Sequence, residues 1–139
     1  MSQVVQDPRQ EGRDAAERRA WQEAFDLLKT ADAGGELGAE DLEVLAEAAM
    51  WTGRLTDAIE ATERAFAAYV DEGNTQRAAM TAIQLAVEYR NKLQLSVSAG
   101  WHQRASRLLE NEPESTVNGY LELQRGLIAN GQGDFDKAL

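Results

Sequence analysis

The side chains best suited to chemistry are one histidine and a few closely spaced carboxylates. His102 is the only histidine and the chain has no cysteine, so no second imidazole or thiolate can share a metal ion with it. We expect His102 to lie on a helix surface or half packed. The carboxylates lack the alternating acidic ligands, central glycine and closing glutamate of a calcium loop. The closely spaced carboxylates are Glu40-Asp41, Glu110 with Glu112, and Asp134 with Asp136.

The glycine-rich run Gly34-Gly35-Glu36-Leu37-Gly38 does not fit a phosphate-binding loop. It lacks the Lys-Ser/Thr ending of such loops and follows a predicted helix instead of a strand, so we interpret it as a connector. The Gly-x-Ser-x-Gly motif of serine hydrolases is absent. The sequence thus supplies no catalytic constellation, and we predict a non-enzymatic chain that uses no cofactor and binds no metal.

Length and charge narrow the remaining classes of function. The chain has 139 residues and a net charge of −10, which fits one domain with an acidic surface. Such a surface repels nucleic-acid phosphates and anionic lipids, so neither is an expected partner. The charged N-terminus has no apolar segment for secretion, and no apolar run is long enough to span a membrane. We therefore predict a cytoplasmic protein.

Hydrophobic periodicity predicts helices throughout the chain. Asp7-Pro8 is typical of a helix start, and a first helix is predicted to about Arg18. Apolar residues recur at helical spacing from 20 to 32, and no segment shows the alternation of a strand. Further helices are predicted around Leu42–Ala49, Ala58–Phe66, Thr75–Asn91 and Leu95–Leu109, and a last pair opens near Tyr120 and turns at Gly131-Gln132-Gly133-Asp134.

A small residue recurs at the same place in successive helix pairs. Ala24, Ala58, Ser98 and Ala138 follow one another at spacings of 34, 40 and 40 residues, which is the period of stacked helical hairpins. The pattern predicts that residues 1–6 form a disordered lead-in and that residues 7–139 form a single domain. Its units are about 7–38, 39–73, 74–112 and 113–139, the last truncated, with about seven helices in all.

Gly100 falls inside a predicted helix. A glycine there costs about 1 kcal/mol against alanine and often marks the close approach of another backbone. We expect that contact to lie between the third and fourth pairs.

The marks within each unit resemble the tetratricopeptide repeat. In the second unit Ala46, Gly53, Ala58 and Ala65 match the small, turn and alanine positions of that motif, and Leu55 replaces its aromatic residue. The first unit carries Gly12, Trp21, Ala24 and Ala31, and the fourth carries Gly126, Gly133, Phe135 and Ala138. In the first and third units the position of the turn glycine is occupied by Arg19 and Leu93. The resemblance implies an all-α fold of antiparallel helix pairs stacked as a right-handed α-solenoid.

In tetratricopeptide folds the first helix of each pair lines a concave groove, so the resemblance implies a partner-binding surface there. It would suit an amphipathic helix or extended peptide with apolar anchors and some basic residues. The alternative is that its apolar residues pack against neighbouring repeats. The implied residues are Glu43, Glu47, Met50 and Trp51 in the second unit, Met80, Ile83, Val87, Arg90 and Asn91 in the third, and Tyr120, Leu123, Leu127 and Asn130 in the fourth.

A narrower likeness concerns the runs Ala49-Met50-Trp51-Thr52-Gly53-Arg54-Leu55 and Arg104-Ala105-Ser106-Arg107-Leu108-Leu109. They are similar to the repeat domains of large bacterial regulators, where such repeats flank a LuxR-type helix-turn-helix or a nucleotide cyclase domain. This likeness implies the sensory or partner-binding part of a transcriptional regulator. Two alternatives stay open: a small self-associating adaptor that dimerises through its C-terminal helices at Leu123, Leu127 and Phe135, and a fragment of an enzyme whose active site lies elsewhere.

Overall fold

A computed structural model describes residues 7–110, which form six α-helices. Their bounds are α1 Pro8–Glu17, α2 Trp21–Ala33, α3 Ala39–Trp51, α4 Leu55–Glu72, α5 Thr75–Asn91 and α6 Leu95–Leu109. Residues 7–110 contain no strand, so the all-α prediction is confirmed. The predicted lead-in and the seventh helix lie outside the described residues.

Local capping explains where several helices begin. The Asp7 side chain accepts a hydrogen bond from the Gln10 backbone N–H at 3.3 Å, and Pro8 occupies the first turn of α1. The Asn74 side chain accepts from the Arg77 N–H at 3.2 Å and caps α5. These signals are local in sequence, and the predicted starts of α1 and α5 accordingly agree with the structure.

Five helices end in the same backbone motif. After α3, the Gly53 N–H donates to the Met50 carbonyl at 3.1 Å and the Arg54 N–H donates to the Ala49 carbonyl at 2.8 Å, the two bonds of a Schellman turn. The residue that turns the chain has a positive φ in each case: Arg19, Gly35, Gly53, Gly73 and Leu93. Arg19 and Leu93 thus adopt a left-handed conformation that favours glycine.

Contacts divide the chain into two compact units, Met1–Ala68 and Tyr69–Leu139, with the boundary inside α4. In the first unit α1 contacts α2 and α3, and α2 also contacts α3. The closest approach uses Gly12, because a Cβ built there would lie 2.7 Å from the Cγ of Leu28. This glycine lets α1 lie directly against the fully buried Leu28 of α2.

In the second compact unit, Tyr69–Leu139, α5 packs against α6. The buried Ser98 hydroxyl donates to the Ala86 carbonyl of α5 at 2.6 Å, so this small residue ties the two helices together. His102 lies one helical turn further along α6 and is only 7% exposed. The expectation of a surface or half-packed histidine is therefore wrong, because His102 shares the buried stripe of Ser98, Ala105 and Leu109.

The expected contact at Gly100 is with the fourth pair, which lies outside the described residues. Apart from its chain neighbours and the backbone of its own helix, no atom of the part that is described lies within 4 Å of a Cβ built on Gly100. Among residues 7–110, no helix combines the length and the apolar character that crossing a membrane requires.

Candidate partner-binding groove

A groove of about 310 Å³ opens between α1 and α3 in the first unit. One wall comes from α1 and the opposite wall from α3, while the turn after α1 and the first residue of α2 complete the lining. The lining residues are Arg13, Ala16, Glu17, Arg19, Trp21, Val44 and Glu47. Sequence reasoning placed Glu47 in a groove but missed the contribution of α1, whose polar residues gave no sign of facing another helix.

Two tryptophans stand together beside this groove. The rings of Trp21 and Trp51 are stacked, with centroids 6.1 Å apart and planes inclined by 14°. Trp21 is half-buried and lines the groove, whereas Trp51, the last residue of α3, is 64% exposed. Glu47 precedes Trp51 by one helical turn, so the carboxylate and the indole lie on the same face of α3.

A buried carboxylate holds α1 against α3. Asp41 is 2% exposed, and its oxygens accept from Arg9 Nε at 2.6 Å, from Arg13 Nη1 at 2.9 Å and from the Gly38 N–H at 3.0 Å. Arg13 also approaches Glu40 at 3.9 Å. Because Arg13 lines the groove, this cluster fixes the position of one wall relative to the other.

The electrostatics of the cluster keep Asp41 ionised. Burial by itself would raise the pKa of Asp41, but hydrogen bonds from Arg9, the Gly38 N–H and Arg13 outweigh it and lower the pKa below the ordinary value of an aspartate. The same hydrogen bond with Asp41 raises the pKa of Arg9. In the sequence Asp41 stands out only as part of a carboxylate pair, because its partners lie 28 and 32 residues earlier.

A cation–π contact, a hydrogen bond and one ion pair hold α2, the helix that carries Trp21. The Arg54 guanidinium lies 4.3 Å from the centre of the Phe25 ring, and its Nη1 donates to Gln22 at 3.2 Å. Arg64 on α4 donates two hydrogen bonds of 2.7 Å to the Asp32 carboxylate on α2. The hydrogen bond from Arg64 lowers the pKa of Asp32. The position of α2, and with it that of Trp21, is therefore fixed from the α4 side.

Three charged groove residues remain without an ion-pair partner within 7–110: Glu17, Glu47 and Arg19. The neighbouring Arg18 instead pairs with Glu23 at 2.8 Å. The two carboxylates stand on opposite walls, one on α1 and one on α3.

The other residues implied for a groove have varied positions. On α3 Glu43 is half-buried and Met50 is exposed. On α5 Asn91 is exposed and Ile83 is fully buried, so Ile83 belongs to the core, which is the alternative stated for it. Met80, Val87 and Arg90 are half-buried. Tyr120, Leu123, Leu127, Asn130 and Phe135 lie outside the described residues.

Burial also raises the pKa of Glu88 on α5. Residues 7–110 hold no group of three or more histidine, cysteine or acidic side chains that could bind a metal ion.

Comparison with known proteins gives no relative: no family model matches the chain, and no curated protein matches its sequence. The likeness to the tetratricopeptide repeat therefore rests on the residue marks of the chain itself.

Proposed function

We propose that this chain is a non-catalytic module for protein–protein interaction, of tetratricopeptide-repeat type, that binds a protein or peptide segment in the groove between α1 and α3. We further propose that it serves as the sensory or partner-binding part of a bacterial cytoplasmic regulator of transcription.

One observation carries the binding proposal: the stacked Trp21–Trp51 pair beside the groove, with Trp51 64% exposed. A tryptophan presents a large apolar surface whose burial favours association. Tryptophan is also enriched among the residues that contribute most binding energy at interfaces. The stack restrains the exposed ring before a partner arrives, which lowers the entropy lost on binding.

The helical turns support the choice of repeat type. Arg19, Gly53 and Leu93 all turn the chain with a positive φ, and they are spaced 34 and 40 residues apart, as are the small residues Ala24, Ala58 and Ser98. A repeated turn at a repeated spacing is typical of helical-hairpin repeats.

Selection from a randomised peptide library on the full chain tests the binding proposal. We expect selected peptides to bind saturably, and we expect Trp51→Ala to weaken binding by about tenfold or more, because truncation of an interface tryptophan commonly costs over 1 kcal/mol. Leu93→Ala is the matched control, since Leu93 is 84% exposed but lies in the other unit. Equal affinity of the Trp51→Ala variant for every selected peptide would reject the proposed groove.

The regulator proposal rests on the likeness of Ala49–Leu55 and Arg104–Leu109 to regulator repeats. Intact mass spectrometry of the natural gene product tests it. A mass well above 15.3 kDa would be expected for a regulator with an output domain, whereas a mass of 15.3 kDa would contradict an output domain in the same chain.

A further inference from the structure

The charges around the groove do not balance. The cluster of Arg9, Arg13, Glu40 and Asp41 is neutral as a set, because two guanidinium groups face two carboxylates. The remaining charged groups of the lining are Glu17 and Glu47, on opposite walls, and the single Arg19 in the turn after α1. With Arg13 counted in that neutral cluster, two carboxylates and one guanidinium remain, so the rest of the lining has one net negative charge, in a chain whose net charge is −10.

An exposed aromatic face accompanies this negative charge. Trp51 is stacked on Trp21 by one face and remains 64% exposed. A cation over a tryptophan ring is attracted by the negative face of the ring, and the attraction is stronger when the cation is desolvated. Because Glu47 lies one turn from Trp51 on the same face of α3, a cation on the ring would also lie near a carboxylate.

We infer that the groove recognises a basic segment of the partner, with an arginine side chain stacked on Trp51 and donating hydrogen bonds to Glu47 and Glu17. This inference rests on the proposed function and specifies the chemistry of its partner. Arginine fits better than lysine, because the planar guanidinium stacks on an indole and donates several hydrogen bonds in a fixed fork. An acidic segment would be repelled, and a purely apolar one would desolvate two unpaired carboxylates.

A matched peptide series tests the inference on the full chain. The parent peptide has one arginine in a short apolar frame, and three derivatives replace it with lysine, citrulline or glutamate. Tryptophan fluorescence and calorimetry would measure the affinities. Citrulline keeps the shape of arginine without its charge, so we expect its peptide to bind about tenfold more weakly. The lysine peptide should fall between these two, and the glutamate peptide should bind least.

Paired charge variants of the protein provide the second arm. Glu17→Gln combined with Glu47→Gln should weaken binding of the arginine peptide by about tenfold and reduce its dependence on salt. Glu60→Gln combined with Glu72→Gln is the control, because both residues are exposed on α4 and the change in net charge is the same. Far-ultraviolet circular dichroism would verify that all variants keep their helices.

The outcomes separate this inference from the proposed function. Equal affinities for the arginine and citrulline peptides, or an equal loss in the control pair, would overturn the inference. A third result would also overturn the inference: peptides selected from the library bind in a Trp51-dependent way, but the arginine peptide does not bind. In that case the proposed function would survive. If no peptide bound in a Trp51-dependent way, both would be rejected.

Discussion

Asp41 shows how one side chain can set the distance between two helices. It is almost fully buried on α3, and both of its long-range partners, Arg9 and Arg13, are on α1. An unpaired charge at such a site would be strongly destabilising, whereas three hydrogen bonds compensate the loss of water. The sequence could not predict this role, since nothing local to Asp41 identifies partners about 30 residues away.

We expect Asp41→Asn to lower the free energy of unfolding by about 2 kcal/mol, because Arg9 and Arg13 lose the carboxylate that pairs them. Urea denaturation at neutral pH would measure the loss. Asp32→Asn is the control: its partner Arg64 is 45% exposed, and solvent screening limits such surface pairs to below about 1 kcal/mol. A larger loss for Asp32→Asn than for Asp41→Asn would contradict this assignment.

The stabilisation from Asp41 should depend on pH. Because the pKa of Asp41 is lowered in the folded state, the contribution is complete above the unfolded pKa of about 4 and declines as the pH falls towards the lower folded value. The difference in unfolding free energy between the parent and Asp41→Asn should therefore shrink below about pH 4. Denaturation curves at several pH values would show it, and a constant difference down to pH 2 would be the contrary result.

At the scale of helices, the sequence predicts those features that depend on neighbouring residues. Caps such as Asp7 and Asn74, turn residues and apolar spacing define the helices, so the predicted bounds of α5 and α6 agree with those observed, whereas α4 extends beyond the predicted Phe66 to Glu72. The α1–α3 groove and the Trp21–Trp51 stack depend on helix packing across 30 residues. The pattern placed both tryptophans on helices but did not indicate that their rings meet.

Leu93→Gly should stabilise the turn between α5 and α6. Leu93 has a φ of 61°, a conformation that costs an L-residue about 1–2 kcal/mol but costs glycine little. Its side chain is 84% exposed, so little packing is lost. After allowance for the greater entropy of an unfolded glycine, we expect a gain of about 0.5–1 kcal/mol.

Thermal unfolding of Leu93→Gly would measure this gain. Leu93→Ala keeps the Cβ and therefore the strain, so its melting temperature should stay near that of the parent. A lower melting temperature for Leu93→Gly would mean that the leucine side chain itself stabilises the fold.

Gly12→Ala should separate α1 from α2. Its Cβ would lie 2.7 Å from Leu28 Cγ, so one of the two must shift, and Leu28 is fully buried. Overpacking of this kind costs about 1–3 kcal/mol, which exceeds the gain in helix propensity of about 1 kcal/mol.

Chemical denaturation of Gly12→Ala would test this packing, with Gly100→Ala as the matched control. Within residues 7–110 no atom lies near the new methyl group of Gly100→Ala. We therefore expect Gly100→Ala to be neutral or stabilising. Equal losses in both variants would argue against a specific contact at Gly12.

At the scale of the whole molecule, the dominant property is the net charge of −10. A field of this sign raises the local concentration of cations and accelerates the encounter with a basic partner. Composition alone establishes this property, whereas the location of the unpaired carboxylates requires the helix packing. The net charge therefore acts on the association of the partner, whereas the groove acts on its dissociation.

The association rate of the arginine peptide should fall with ionic strength. We expect a decrease of about tenfold between 0.01 and 0.15 M salt, with a much smaller change in the dissociation rate. Stopped-flow fluorescence would measure both rates. The citrulline peptide is the control, and its association rate should change little. A salt effect confined to dissociation would contradict long-range steering.

The stacked indoles have an optical consequence as well. Two chromophores 6.1 Å apart, with planes inclined by 14°, couple their electronic transitions, and the resulting exciton signal in circular dichroism depends on the distance and angle between the transition moments. Trp21 belongs to α2 and Trp51 to α3, so this signal is an intrinsic ruler for the geometry at the end of the groove. It requires no label, and it would distinguish an occupant that slides the two rings apart from one that leaves them in place.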